Sequence, residues 1–158
     1  MEAQIGPVDL ADELARERAR FFEALGAVSP ESMTTPGLVG EWSAREVIAH
    51  LGYWVGHATE TIHAVEQDRA MEPEPSVDEV NDTVARIARD TDLAAVRRRE
   101  EASVEALVER LRAIDSSLLA VMLPDGNTLR HAIRDDGADH YREHAEALRT
   151  SLGEPPRG

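Results

Sequence analysis

Apolar residues recur at helical spacing along nearly the whole chain, and the strict alternation typical of a half-buried strand is scarce. The first apolar stripe predicts a helix with Asp9 as its N-cap and Gly26 as its C-cap. The stretch "SAREVIAHLGYWVGHATETIHAVEQ" predicts a second helix, which opens on a capping box formed by Ser43 and Glu46. Helix rather than sheet is therefore the expected element from the start of the chain.

Two further helical segments complete the pattern. A long one begins at a second capping-box pair, Ser76 and Glu79, and is expected to break near 90–92. The last predicted helix runs from about Thr128 to Leu152. Four main helices joined by fairly short connections predict an all-α four-helix bundle. The length of 158 residues suits one domain over residues 1–158, with a frayed tail from about residue 153.

Charge and composition narrow the classes of function. The formal net charge is −14, and such an acidic surface repels phosphate groups, so we expect no nucleic-acid partner and no membrane partner. The chain has no cysteine, which excludes disulfides, a protein thiolate nucleophile and cysteine-ligated zinc. No run of about 18 apolar residues occurs, and the N-terminus does not read as a signal peptide, so we expect a cytoplasmic protein.

The stretch "DHYREHAEAL", residues 139–148, carries two histidines four apart, His140 and His144, with Glu143 between them. Read literally, H-x-x-E-H is the signature of one class of zinc peptidase, in which the glutamate activates water. That mechanism also needs a third, carboxylate ligand downstream. Only Glu146 and Glu154 follow, and neither lies on a separate helix, so the peptidase interpretation is the weaker one.

A shared ion is the stronger interpretation of the pair. Residues four apart lie on one helix face, so His140 and His144 can bind one metal, with a third ligand from another helix. His50, on the mixed face "EVIAHLGYW", is the best candidate for that ligand. The alternatives stay open at this point: the pair can form an exposed polar face, and a lone core histidine such as His50 is more often a structural group.

Four other residues are candidates for the surroundings of such a site. His57 lies about 20° from His50 around the second helix and can line the same cavity, and Trp54 can wall it or simply pack in the core. Glu46 and Asp136 each precede a candidate ligand by four positions and can accept its second N–H. Glu46 is equally explained by the capping box, and Asp136 by solvent exposure. Tyr141 points about 100° away from His140 around the helix and can reach the pocket rim.

Three stretches, taken together, resemble the DinB/YfiT-like superfamily. They are "GEWSAREVIAHLGYW" at 40–54, "DHYREHAEALR" at 139–149, and 77–114, which is similar to the third helix of the ClbS/DfsB-like branch, including Asn81 near its start. The resemblance implies an up-down-down-up four-helix bundle, often dimeric. It implies a divalent metal, most commonly nickel or zinc, and the positions that match its three histidine ligands are His50, His140 and His144.

The resemblance also bears on function. It implies a metal-dependent enzyme acting on a small-molecule electrophile, as an S-transferase or isomerase with a low-molecular-weight thiol, or as a hydrolase, in a homodimer. The related mycothiol-dependent maleylpyruvate isomerase has Glu-x3-His in its last helix, so His140 departs from the isomerase pattern. Two alternatives remain: a non-catalytic bundle that sequesters a reactive compound, and a structural dimer with a vestigial site.

Overall fold

Six α-helices make up most of residues 4–153, which are the residues that this computed structural model describes. The predicted frayed tail, from about residue 153, lies outside the described residues except for residue 153 itself. Two short 3-10 helices connect the larger elements, and the only β pairing within residues 4–153 consists of two isolated bridges. The α-helices are α1 (Pro7–Leu25), α2 (Ala44–Glu66), α3 (Val77–Arg89), α4 (Leu93–Ala113), α5 (Leu129–Asp136) and α6 (Ala138–Ser151).

Side-chain contacts give the directions of the helices. Arg89 contacts Glu46, whereas Asn81 contacts Trp54, so α3 runs antiparallel to α2. The carbonyl oxygen of Thr91, just before α4, accepts a hydrogen bond from Arg45 in the first turn of α2, and Arg110 near the end of α4 pairs with Glu66 at the end of α2. The helix α4 therefore runs parallel to α2.

The remaining two helices of the bundle, α1 and α6, run the other way. His50 contacts His140, whereas His57, farther along α2, contacts Asp136 just before α6, so α6 is antiparallel to α2. Glu13 pairs with Arg134 and Glu17 with Arg142, which makes α1 parallel to α5 and α6. The bundle is therefore all-α and up-down-down-up, as predicted, with α3 as the crossover helix.

The predicted helix caps hold except at the N-terminus of α1, and Gly26 is the C-cap of α1 as predicted. Ser43 and Glu46 form the full capping box, and Ser76 accepts a hydrogen bond from the backbone N–H of Glu79. The Asp9 cap is wrong: α1 begins at Pro7, whose fixed φ suits a first helical position, and Asp9 lies inside the first turn. An acidic side chain there is favourable to the helix dipole without capping it.

The last predicted helix is two helices. Gly137 interrupts it with φ −110° and ψ −103°, which is not helical, so α5 ends at Asp136 and α6 starts at Ala138. A Cβ at position 137 would lie 2.8 Å from the Ile133 carbonyl oxygen, which accepts the Gly137 N–H, so only glycine fits this bend without a shift. The bend sets Asp136 at the end of one helix and the histidine pair on the next.

A buried charged cluster lies beside the apolar residues of the core. Glu100 on α4 is 1% exposed and accepts two hydrogen bonds from Arg18, at 2.6 and 2.7 Å, and one from the Tyr141 hydroxyl at 2.5 Å. The cluster links α1, α4 and α6, and α2 approaches α4 closely beside it at Gly52. Among the helices of residues 4–153, none is long and apolar enough to cross a membrane.

Candidate metal centre

Three imidazoles meet between α2 and α6. His50 on α2 is 5% exposed, and His140 and His144 on α6 are half-buried. The Nε2 atom of His140 lies 2.7 Å from that of His50 and 3.2 Å from that of His144. The potential ligand atoms of all three lie within 4.8 Å of one another. The structure thus brings together the three histidines that the sequence singles out.

The donor set fits a divalent metal. A neutral imidazole nitrogen either donates or accepts one hydrogen bond, so three Nε2 atoms that face one point cannot all satisfy one another. Metal–imidazole bonds of about 2.0–2.1 Å place ligand nitrogens about 3.0–3.4 Å apart on one ion, and the separations here are close to that range. The Nδ1 atoms of His50 and His144 are buried without a hydrogen-bond partner in the described chain.

Burial keeps the three rings neutral. It lowers the pKa of His50 to about 3, with a smaller contribution from the proximity of His140 and His144. Burial and the proximity of His144 lower the pKa of His140 to about 4, and burial also lowers the pKa of His144. Neutral imidazoles expose the lone pairs that a metal requires, so the site is held in its ligand form at neutral pH.

A cavity of about 240 Å³ opens beside the histidines. Trp54 stands in its wall, as the sequence suggests, and its Nε1 donates a hydrogen bond of 2.9 Å to the Asn81 side chain. Trp42, which the sequence does not assign to the site, packs its ring at 4.9 Å from that of His50. The lining residues are His50, Trp54, Val77, Asn81, Asp135, Asp136, His140 and Glu143.

Asp136 and His57 form a pair of their own at the edge of this cavity. His57 Nδ1 lies 2.7 Å from Asp136 Oδ2, and His57 Nε2 lies 3.5 Å from Glu74. The hydrogen bond to Asp136 raises the pKa of His57, and burial raises that of Asp136. Asp136 therefore does not hold the candidate ligand four residues after it, because the bend at Gly137 turns it toward α2 instead. Nothing in the sequence predicts the contact between His57 and Glu74.

Glu46 also contacts residues other than the candidate ligands. One carboxylate oxygen accepts hydrogen bonds from the backbone N–H and the hydroxyl of Ser43, and the other accepts from Arg89 at 3.0 Å. The expectation that it accepts an N–H from His50 is wrong, since the His50 Nδ1 has no partner within residues 4–153. The capping-box interpretation of Glu46 is the correct one.

Tyr141 is not at the rim. It is fully buried on the side of α6 that faces α1 and α4, and its hydroxyl donates to Glu100. Burial raises its pKa well above the usual value. Glu143, in contrast, is exposed and lines the cavity, and His131 is exposed on α5.

The helix order and the convergent imidazoles define an all-α bundle with a candidate three-histidine metal centre. The chain belongs to the family of the mycothiol maleylpyruvate isomerase N-terminal domain, whose model matches residues 14–145. This confirms the DinB/YfiT-like superfamily that the sequence motifs indicate. No curated protein matches the chain.

Solved structures of other proteins share this fold. An uncharacterised protein from Escherichia coli UTI89 has a TM-score of 0.81 at 12% identity, covering 96% of this chain and 95% of its own. The colibactin self-resistance protein ClbS, in complex with dsDNA, has a TM-score of 0.76 at 15% identity, with 96% and 98% covered. The mycothiol-dependent maleylpyruvate isomerase has a TM-score of 0.75 at 16% identity, with 91% of this chain but 61% of that one covered.

The ClbS complex corrects one expectation. Net charge led the sequence analysis to exclude a nucleic-acid partner, yet a protein of this fold has been crystallised with dsDNA. The exclusion is wrong as an inference about this class, because net charge averages over a surface on which local patches of opposite sign can lie.

Proposed function

We propose that this chain is a divalent-metal-dependent enzyme that acts on a small electrophile together with a low-molecular-weight thiol, as an S-transferase or isomerase, or as a hydrolase. The observation that carries the proposal is the convergence of the Nε2 atoms of His50, His140 and His144. Membership of a family named for a mycothiol-dependent isomerase supports the thiol. Because the chain has no cysteine, any thiol must be supplied from solution.

The roles of the residues follow from their positions. His50, His140 and His144 would hold nickel or zinc, and a divalent ion bound there would supply Lewis-acid chemistry to the cavity. Trp54 walls the cavity beside the histidines, and its bond to Asn81 fixes the orientation of the ring. The His57–Asp136 pair can hold a proton at the edge of the cavity that Asp136 lines.

Metal analysis tests the proposal directly. We expect protein purified without a histidine tag to bind close to one equivalent of nickel or zinc by elemental analysis and calorimetric titration. His50→Ala, His140→Ala and His144→Ala should each weaken binding by at least about tenfold, since each removes one ligand. His131→Ala, which removes an exposed histidine, should bind like the wild type. Wild-type protein without measurable metal affinity would refute the proposal.

A second candidate function has its own support. The similar ClbS is a self-resistance protein, which suggests a bundle that binds and sequesters a reactive compound without turnover. The two candidates differ in whether the protein is consumed stoichiometrically. Multiple turnovers of a general electrophile such as chlorodinitrobenzene with a small thiol, lost in a folded His50→Ala variant, would exclude sequestration. Binding that saturates at one equivalent with no product would favour it.

A further inference from the structure

Asn81 places a side-chain amide in the cavity beside the three histidines. It lies in the first half of α3, one helical turn after Val77, and both side chains line the cavity. Burial lowers the pKa of His50, and the Asn81 side chain acts in the opposite direction, which places the amide next to that ring. No hydrogen bond of normal geometry joins the two residues, so the amide is not committed to His50.

Trp54 fixes which end of this amide faces the cavity. An indole N–H can only donate, so the Asn81 atom that lies 2.9 Å from Trp54 Nε1 must be the carbonyl oxygen Oδ1. The indole ring is itself held by edge contacts with Tyr53 and His57, at centroid distances of 5.2 and 5.1 Å. The amide nitrogen of Asn81 is therefore turned away from Trp54, and it cannot exchange places with the oxygen without breaking that hydrogen bond.

The amide nitrogen of Asn81 is an accessible donor without a partner. Its Nδ2 atom makes no hydrogen bond within residues 4–153, and it is not one of the buried unpartnered atoms of that range. The other asparagine of the chain, Asn127, differs in that its Nδ2 donates to Asp125 in an exposed turn. An oriented amide donor next to candidate metal ligands is an arrangement that stabilises negative charge on a reacting oxygen.

We propose that Asn81 binds an oxygen of the substrate, such as a carbonyl oxygen, through its Nδ2 donors, and that Trp54 is the positioning residue that keeps the amide in this orientation. The inference rests on the proposed function, and it adds the hydrogen-bond acceptor that the small electrophile must carry. A divalent ion on the histidines would also favour negative charge in this cavity, so the two effects would act together. A purely structural Asn81 would need only its oxygen, which an aspartate supplies equally well.

The variant Asn81→Asp separates the two roles of the side chain. Its carboxylate is similar in shape and still accepts from Trp54, but it has no N–H to donate. Acetophenone supplies a carbonyl oxygen, and α-methylstyrene has a methylene group in its place. In NMR titrations we expect acetophenone alone to shift the Asn81 side-chain amide signals. Acetophenone should bind Asn81→Asp about three- to tenfold more weakly, the effect of one neutral hydrogen bond. An unmoved Trp54 indole signal in this variant shows that the fold is kept.

The variant Trp54→Phe tests the positioning role. The freed Asn81 amide can present its oxygen to the cavity as readily as its nitrogen, so acetophenone affinity should fall about twofold and the amide signals should shift less. Asn127→Asp makes the same chemical change outside the cavity, charge included, and should bind acetophenone like the wild type.

The outcomes distinguish this inference from the proposed function. Unmoved Asn81 signals, equal shifts with both probes, or unchanged acetophenone affinity in Asn81→Asp would each overturn the role of Asn81, and unchanged affinity in Trp54→Phe would overturn that of Trp54. The titrations are run on metal-free protein and on protein with added zinc. Acetophenone binding through Asn81 in a protein without zinc affinity would refute the proposed function alone.

Discussion

At the scale of single residues, the chemistry of the site depends on neutral imidazoles. His50, His140 and His144 are each removed from water by the surrounding helices, and the resulting desolvation opposes protonation more strongly than any nearby acceptor favours it. His57 shows the opposite case, since its hydrogen bond to Asp136 raises its pKa. Residue type alone does not distinguish these histidines; the helix packing around each one does.

Metal-free protein should lose stability in mild acid. The unfolded chain takes up protons on these histidines below about pH 6.5, whereas folded His140 stays neutral until about pH 4, so the free energy of unfolding falls as the pH is lowered. Between about pH 7 and pH 5, His140→Gln should lose about 2 kcal/mol less than the wild type in urea denaturation with a chelator present. His131→Gln should behave like the wild type; an equal loss in His140→Gln would contradict the prediction.

The Tyr141 hydroxyl should stabilise the fold without any role in metal binding. Its removal in Tyr141→Phe deprives the buried Glu100 of one of its hydrogen bonds, and we expect a loss of about 1–3 kcal/mol in the free energy of unfolding. Tyr53→Phe is the matched control, because the Tyr53 hydroxyl makes only an exposed 3.5 Å contact with Glu74. Nickel or zinc affinity at about neutral pH should stay unchanged, and a stability equal to that of Tyr53→Phe would be evidence against the role.

At the scale of elements, periodicity predicted most of what the structure contains. The capping box of α2, the break before α4 and the shared face of His140 and His144 all follow from local spacing, and all are present. The break at Gly137 was missed because apolar positions continue at helical spacing across it, and a glycine inside a helix is often tolerated. The burial of Tyr141 was missed because spacing gives a direction around α6 but not the residue from α4 that meets it there.

The close approach of α2 to α4 should depend on Gly52 and not on Gly56. A Cβ at Gly52 would lie 3.0 Å from the Glu100 Cα, so Gly52→Ala must push the helices apart, and we expect it to cost about 1–3 kcal/mol. At Gly56 the nearest atom would be the Ser103 Oγ at 3.9 Å, an ordinary contact. Gly56→Ala should therefore gain up to about 1 kcal/mol from helix propensity. Urea denaturation of both variants tests the contrast, and a similar effect at the two positions would refute it.

At the scale of the whole molecule, the candidate ligands join parts of the chain that are 90 residues apart in sequence. Net charge, a property of the whole chain, predicted less about this molecule than local sequence patterns did. The four-helix topology followed from the resemblance of three stretches, but a net charge of −14 gave no account of where charge lies. In the structure, carboxylates line the cavity beside the histidines, while Arg97 and Arg99 on α4 line two other surface cavities. A binding partner contacts a local distribution of charge, so its choice depends on that distribution rather than on the net charge of the molecule.

Metal bound by His50, His140 and His144 would cross-link α2 to α6, so it should stabilise the entire fold. A ligand that binds only the folded state adds about 2.7 kcal/mol to the free energy of unfolding at about 100 times its Kd. We expect that gain for wild-type protein and for His131→Ala when zinc or nickel is added in denaturation experiments, and its reversal by a chelator. His140→Ala leaves two ligands and, with affinity at least about tenfold weaker, should gain less than about 1.5 kcal/mol at the same free metal concentration. An equal gain in His140→Ala would mean that the metal binds elsewhere on this acidic surface, because only a site built from these three imidazoles ties its stabilisation to that one side chain.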